Sequence, residues 1–220
     1  MLEPLRKHVL VWRPPESDIV VFARAGADAI ARRLDGIALT SARAHVTHVL
    51  PPRVSLVPFR RTPVALISLT GTEAMLAAAR AALAHLPGKL EGYAVDESVP
   101  VERTEAARTT LITLFAKSPR VDRALFERRW HEEHTPMTLE VHPVVGYVKN
   151  VVRDVILPSS PPWDGIVTED FADARDLTTL RLFGRGPRAL YEAVRVGWHV
   201  ASFLDLGTIE TYLATEHVVC

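Results

Sequence analysis

The chain has 220 residues, of which 48% are hydrophobic, and its 26 Lys and Arg balance 26 Asp and Glu. A formal net charge of zero provides no general attraction for nucleic acid or an anionic membrane, so we expect neither as a partner. Cys220 is the single cysteine, which excludes an internal disulfide and a cysteine-based metal cluster. No apolar run approaches the ~20 residues of a membrane span, and no signal peptide is recognisable, so we expect a cytoplasmic protein.

Hydrophobic periodicity, caps and breakers predict a βαββαβ order in the first half of the chain. Ser17 and Thr72 are the expected N-caps of its two helices, since a side-chain oxygen there can accept from free backbone N–H groups. The predicted strands are 8–12, 42–50, 63–70 and 90–95, and the predicted helices are 18–34 and 73–86. This order is that of the ferredoxin-like fold.

The same order then begins again. The predicted strands are 109–117, 146–152, 164–171 and 201–213, and the predicted helices are 122–135 and 173–197, the latter interrupted at 184–187. A repeat of about 100 residues is too long for a solenoid and indicates a duplicated domain. We therefore predict an α+β fold in which two ferredoxin-like halves, 1–104 and 105–220, close into one α/β barrel within a monomer. Burial of the two open sheet faces favours this pseudo-dimer, and its outer helices leave room for a further homodimer.

The second strands of the two halves support the duplication. Their alignment pairs His45 with Tyr147 and His48 with Asn150, with a valine third in each run and two apolar residues at its end. Alternation of side chains along a strand places Tyr147 on one face and Asn150 on the other. His45 and His48 likewise fall on opposite faces, so they cannot bind one metal ion together, and one of them is expected to line a cavity.

The helix predicted at 122–135 carries the main candidate for acid/base chemistry. Trp130 and His134 are four residues apart and share its apolar face, and Pro136 is expected to end it. His134 is thereby carried towards the interior, and an imidazole with an ordinary pKa near ~6.5 is suited to proton transfer. The alternative is a histidine that only caps the carbonyls of its own helix. His131 and His134 lack a recognisable third ligand, so we expect no metal.

Three segments of the second half are similar to the signature segments of EthD domains, a family of the dimeric α/β-barrel group. They run from Trp130 to Pro136, from Gly146 to Asn150 and from Asp164 to Phe171. The resemblance covers about 109–217, and the first half is then a diverged repeat. One departure is the pair Val151-Val152, which stands where many relatives carry a histidine.

The resemblance implies a ligand cavity between each sheet and its helices, and chemistry without a cofactor. It predicts a lyase or isomerase that dehydrates, decarboxylates or cyclises a small hydrophobic ring compound or polyketide-like molecule. The alternative is a non-catalytic small-molecule carrier or an accessory protein of a degradation pathway. A closed cavity faced by His134 and a second polar group would favour the enzyme, whereas a His134 turned to solvent would favour the carrier.

Residue roles follow from the same resemblance. His134 is the expected general acid/base, with Tyr147 and Asn150 as donors to a substrate oxygen and Glu169 as the carboxylate that orients the histidine. For these last three residues the alternative is hydrogen bonding that only supports the sheet. The expected substrate-contacting residues are Trp130, His45, His48 and Asp164.

Overall fold

The computed structural model describes residues 3–15, 18–51, 55, 57–178, 180–184 and 186–220. The first half contains β1 (Arg6–Arg13), α1 (Ile19–Leu34), β2 (Ser41–Thr47), β3 (Ala65–Gly71), α2 (Glu73–Leu83) and β4 (Lys89–Val101). The second contains β5 (Thr109–Phe115), α3 (Arg123–Arg128), a π-helical segment (Arg129–His134), α4 (Thr135–Val141), β6 (Val144–Val155), β7 (Gly165–Phe171), α5 (Arg175–Thr178), a 3₁₀ turn (Leu180–Phe183), α6 (Arg188–Ala201) and β8 (Glu210–Val218). Within these residues, no helix has the length and apolar composition required to cross a bilayer.

The eight strands close into one antiparallel barrel in the order β1-β3-β2-β8-β5-β7-β6-β4. Each half contributes a four-stranded sheet, and the two sheets are joined where β2 pairs with β8 and β4 pairs with β6. The predicted α+β fold, with two ferredoxin-like halves closed into a barrel within one chain, is confirmed. Closure leaves neither sheet with an unpaired edge.

Strand alternation divides the core into an inner and an outer part. Side chains such as Val9, Tyr93, Ile112 and Tyr212 fill the middle of the barrel and come from both halves. The outer face of the first sheet packs under α1 and α2, and that of the second under α3, α4 and α6. The division near residue 104 falls between β4 and β5 and stays a prediction.

The helix predicted at 122–135 does not end at Pro136, which corrects the sequence analysis. The chain passes through the π-helical segment and continues as α4. In the wider π turn the Thr135 N–H donates to the Trp130 carbonyl five residues back, and the Thr135 hydroxyl donates to the same oxygen at 2.8 Å. Pro136 then falls in the first turn of α4, where a missing N–H is tolerated.

The strand predicted at 201–213 is also wrong at its start. Helix α6 continues to Ala201, and β8 begins only at Glu210. Phe203 and Leu204 are apolar because they pack in the connection against Phe126 and its neighbours, and this run imitates a strand. Of the other predicted features, Ser17 and Arg185 lie outside the described residues, and Asp18 caps α1 by accepting from the Val20 N–H at 2.7 Å.

Trp130 anchors the π-helical segment to the second sheet. Its side chain is 1% exposed, with its ring 5.0 Å from that of Phe115 in an edge-on contact and 5.5 Å from that of Phe126. Gly165 on β7 leaves the space for this ring, because a Cβ there would lie 2.7 Å from Trp130 Cη2. The glycine and the tryptophan therefore fix the distance between helix and sheet.

Trp130→Ala should destabilise the fold by about 3–5 kcal/mol, because it removes a fully buried ring and leaves a cavity. Trp130→Phe keeps part of the packing, so its free energy of unfolding should decrease markedly less. Urea unfolding of both variants measures the difference. A Trp130→Ala variant that unfolds at the wild-type midpoint would contradict this position of the helix.

Candidate functional site

A cavity of about 200 Å³ lies between the outer face of the second sheet and the helices that cover it. Most of its wall is apolar, from side chains such as Leu111, Val196, Val200 and Phe203. The polar side chains that reach it are Thr113, His134, His142, Tyr147 and Glu169. An apolar cavity with a few converging polar groups is typical of a small-molecule site.

The sheet places Tyr147 and Glu169 side by side in this cavity. They are directly opposite each other in the register of β6 and β7, and both are buried. Asn150, three residues after Tyr147, points to the other side of the strand and into the barrel. Its Nδ2 donates to the Ile166 carbonyl at 3.3 Å. Asn150 is therefore separated by the sheet from the cavity that holds Tyr147.

His142 and Glu169 form a buried pair on the cavity wall. His142 lies between α4 and β6, with its Nδ1 3.2 Å from Glu169 Oε1. Because a carboxylate accepts, Nδ1 carries the proton and Nε2 keeps a free lone pair in the neutral ring. Nε2 is buried and has no hydrogen-bond partner among the described residues. Glu169 thus contacts His142, whereas the sequence predicted His134 as its partner, and the catalytic role of Glu169 stays a prediction.

His134 ends the π-helical segment and faces the cavity as a neutral ring. Burial, followed by the influence of His199, His142 and Lys149, lowers its pKa to about 3, well below the expected ordinary value of ~6.5. The ring stacks on that of His199 at 5.5 Å between centroids. Its Nε2 is 3.4 Å from Thr138 Oγ1, and its buried Nδ1 has no partner in the described part of the chain.

Tyr147 is the second neutral donor of the cavity. Burial and the Glu169 carboxylate raise the pKa of its phenol, so it remains protonated. A protonated phenol and an uncharged imidazole can both donate to an oxygen that gains negative charge.

Lys149 supports the site from outside the cavity. Its Nζ donates to Thr135 Oγ1 and to His131 Nδ1, each at 2.8 Å, and lies 5.9 Å from the centre of the Trp130 ring. Burial lowers the pKa of this amine to about 8. These contacts tie β6 to the π-helical segment and so help to hold His134 in place.

The remaining predicted residues are divided between several locations. Trp130 lines the cavity with His134, as expected from their shared helix face. His45 lies inside the barrel, with Nε2 3.4 Å from Glu216 Oε2, and shares a polar chamber of about 230 Å³ with Asn150.

The other two predicted residues, His48 and Asp164, lie next to strand ends. His48 follows the end of β2, and burial together with His217 lowers its pKa. Asp164 accepts from Arg123 Nη1 at 2.7 Å and from the Lys117 N–H at 2.8 Å, which fixes the start of β7. The cavity lining does not include His45, His48, Asn150 or Asp164. His45 and Asn150 are on the inner side of the barrel, and His48 and Asp164 are next to strand ends.

Sequence reasoning missed His142, His199 and Thr113. His142 was overlooked because Pro136 was read as the end of the helix, which placed the histidine in a loop. A signal existed, since His142 stands two residues before a strand whose outward side chains include Tyr147. His199 belongs to α6, and its stacking on His134 depends on a contact 65 residues apart in sequence.

No protein-family model matches the sequence, and no curated protein sequence matches it either. Solved structures share the fold. An anthrone oxidase-like protein superposes with a TM-score of 0.65 at 8% identity over 98% of this chain and 97% of its own. A protein assigned as a monooxygenase from Fusobacterium nucleatum subsp. nucleatum gives 0.55 at 10% identity, over 100% of this chain and 94% of its own.

A chlorite dismutase from Candidatus Nitrospira defluvii, in complex with imidazole, gives a TM-score of 0.51 at 8% identity, over 98% of this chain and 91% of its own. Identities this low establish a shared α+β-barrel fold and no more. The comparisons do not show membership of the EthD family, which stays an expectation from the sequence.

His134 should make the fold sensitive to acid. Its pKa falls from near ~6.5 in the unfolded chain to about 3 in the fold, so between these values the unfolded state binds the extra proton. Stability should therefore decrease as the pH falls from about 6.5 towards 3. After allowance for solvent screening of a residue of intermediate exposure, we expect His134 to contribute about 2–4 kcal/mol of this loss.

The measurement is urea unfolding of wild type and His134→Gln at a series of pH values. Between pH 6.5 and pH 4 the free energy of unfolding should fall less for the variant than for the wild type. At pH 7.5 the two proteins should have similar free energies of unfolding. Parallel curves over the whole range would show that His134 titrates normally in the fold.

Proposed function

We propose that the protein is a cofactor-independent acid/base enzyme, a lyase or isomerase, acting on a hydrophobic ring compound or polyketide-like small molecule. The observation that carries this proposal is the buried His142–Glu169 pair on the wall of an otherwise apolar cavity. An imidazole that contacts a carboxylate and has an unpaired nitrogen at the cavity wall is suited to proton transfer. An apolar side chain would fill the same space without burying a polar group.

His142 is the proposed general base. Its Nε2 takes a proton from a C–H or O–H group of the bound ring, and the imidazolium that forms stays beside the Glu169 carboxylate. Because the cavity wall is mostly apolar, this opposite charge stabilises the imidazolium more than it would in bulk solvent. The proton can then return to another carbon of the ring, as in an isomerisation, or to a departing hydroxyl, as in a dehydration.

Tyr147 and His134 are the proposed donors to the oxygen on which negative charge develops. When the Thr138 hydroxyl donates to His134 Nε2, the proton of this neutral ring is on Nδ1, which is the nitrogen without a partner. Because His134 remains uncharged above about pH 3, it donates a hydrogen bond without delivering a full positive charge. This changes its expected role from acid/base catalyst to hydrogen-bond donor.

The cavity wall supports a hydrophobic substrate. Apolar side chains from sheet, helix and loop enclose the space, and the polar groups described above gather at His142, Tyr147 and Glu169. The structural neighbours are named for oxidase, monooxygenase and dismutase activities, which supports an enzyme-like small-molecule barrel without indicating the reaction. Deprotonation of the ring compound is the step that these side chains supply.

Exchange of protons for deuterium tests this step without knowledge of the natural substrate. We expect the wild type to accelerate deuterium incorporation next to the carbonyl of 2-tetralone, or of a related bicyclic ketone, in D₂O, followed by NMR. His142→Gln should lower this rate by about 10²–10⁴-fold, because it removes the base. Glu169→Gln should lower it less, because the base remains but loses its orienting charge.

The matched control is His131→Gln, since His131 does not line the cavity and the amide oxygen of glutamine can still accept from Lys149 Nζ. It should keep most of the wild-type rate. Equal losses in His131→Gln and His142→Gln would contradict the assignment of the base. A wild type that binds the ketones tightly yet does not accelerate exchange would leave the non-catalytic carrier as the function.

A further inference from the structure

Helix α6 has a second apolar face, which points away from the cavity. Its inner side is buried through residues such as Val196. On its outer side Leu190 is 62% exposed, Tyr191 66%, Val194 52% and Trp198 78%. We call these four residues and the exposed Gly197 the α6 outer face. Large apolar side chains this exposed on a single helix are typical of an interaction site.

The residues of the α6 outer face are spaced along the sequence as they are where two helices pack side by side. Tyr191, Val194 and Trp198 follow each other at intervals of three and four residues, and Leu190, Val194 and Gly197 at intervals of four and three. Alternating intervals of three and four produce the narrow apolar stripe by which one helix packs along another. The sequence therefore provides α6 with one stripe for its own barrel and another for a partner helix.

Gly197 is a second, independent indication of a partner. A glycine within a helix is destabilising relative to alanine, and its lack of a Cβ allows another backbone to approach closely. Within its own barrel, a Cβ at Gly197 would meet no atom within 4 Å, so intramolecular packing does not require the glycine. Close approach of a second helix backbone at this point explains it.

We propose that the α6 outer face is the interface with a second copy of this chain, formed by two antiparallel α6 helices around a two-fold axis. The cations on α6 are already neutralised, since Arg188 Nε is 3.1 Å from Glu192 Oε1 and Arg195 Nη2 is 3.0 Å from Glu140 Oε2. The whole chain also carries no net charge. An apolar, electrically neutral protein surface suits this face better than an anionic membrane or nucleic acid does.

The extent of the face is compatible with a dimer. Its four large side chains expose on the order of 500 Å² per protomer, given the sizes of aromatic and aliphatic side chains. Two copies would thus bury on the order of 1,000 Å², close to the lower limit for a specific interface.

A two-fold axis near Val194 would place Val194 opposite the partner's Val194. Trp198 would then lie against the partner's Leu190 and the partner's Tyr191. The two ends of the stripe are then complementary to each other, as an isologous interface requires. The inference does not depend on the proposed reaction. The inner side of α6 contributes Val196 and Val200 to the cavity, so the dimer would support this wall from outside.

Sedimentation velocity over a range of protein concentrations tests the proposal. We expect a reversible monomer–dimer equilibrium for the wild type. Trp198→Glu should weaken the dimer by about 100-fold or more, because a charge replaces a central aromatic side chain. The matched control is Val21→Glu, at a position of α1 that is 64% exposed, which should leave the equilibrium unchanged. Circular dichroism verifies that both variants are folded.

Disulfide trapping tests the geometry. In a Cys220→Ser background, which removes the exposed native cysteine, Val194→Cys should oxidise to a covalent dimer and Val21→Cys should not. A wild type that is monomeric at every concentration and untrapped at Val194→Cys would overturn the proposal. Binding of the monomer to phosphatidylcholine–phosphatidylglycerol vesicles, lost in Trp198→Glu, would overturn it in favour of a membrane surface.

Discussion

Closure of the barrel is the constraint on which the rest of the structure depends. The β2–β8 and β4–β6 pairs join the two sheets, and burial of the inner side chains then fixes the register of every strand. Once the inner side of β6 is defined by Asn150 and Val152, Tyr147 must face the helices, and the same holds for Glu169 on β7. Closure of the barrel therefore determines which side chains of β6 and β7 point into the cavity.

The two halves use the space between sheet and helix differently. Under α1 and α2 it is filled by an apolar cluster that includes Phe22, Ile30 and Leu76. In the second half, the π-helical segment places His134 over the sheet, and His142 follows α4 onto the same surface. Burial then keeps His134 neutral, while the Glu169 carboxylate contacts the imidazole of His142. The two halves thus share one architecture, and the helical run 129–141 distinguishes the half that holds the candidate site.

The fold was predictable because periodicity and repetition are local properties of the sequence, and strand parity correctly separated Tyr147 from Asn150. The site was only partly predictable. Proline usually ends a helix, but the π turn before Pro136 allows the helix to continue. The contact between His142 and Glu169 depends on the position of β7 beside β6, which cannot be derived from the sequence alone. The pKa of His134 depends on burial by α6, whose end was mistaken for a strand. Tertiary contacts decided each of these outcomes.

The candidate site depends on a neutral His134 and on a His142 whose tautomer is set by the Glu169 carboxylate. Imidazole ¹⁵N NMR of the uniformly labelled protein, with His134→Gln and His142→Gln used for assignment, tests it most directly. We expect His134 to stay uncharged from pH 7 to about pH 4, and neutral His142 to carry its proton on Nδ1. A His134 that titrates near ~6.5, or a neutral His142 protonated on Nε2, would contradict it.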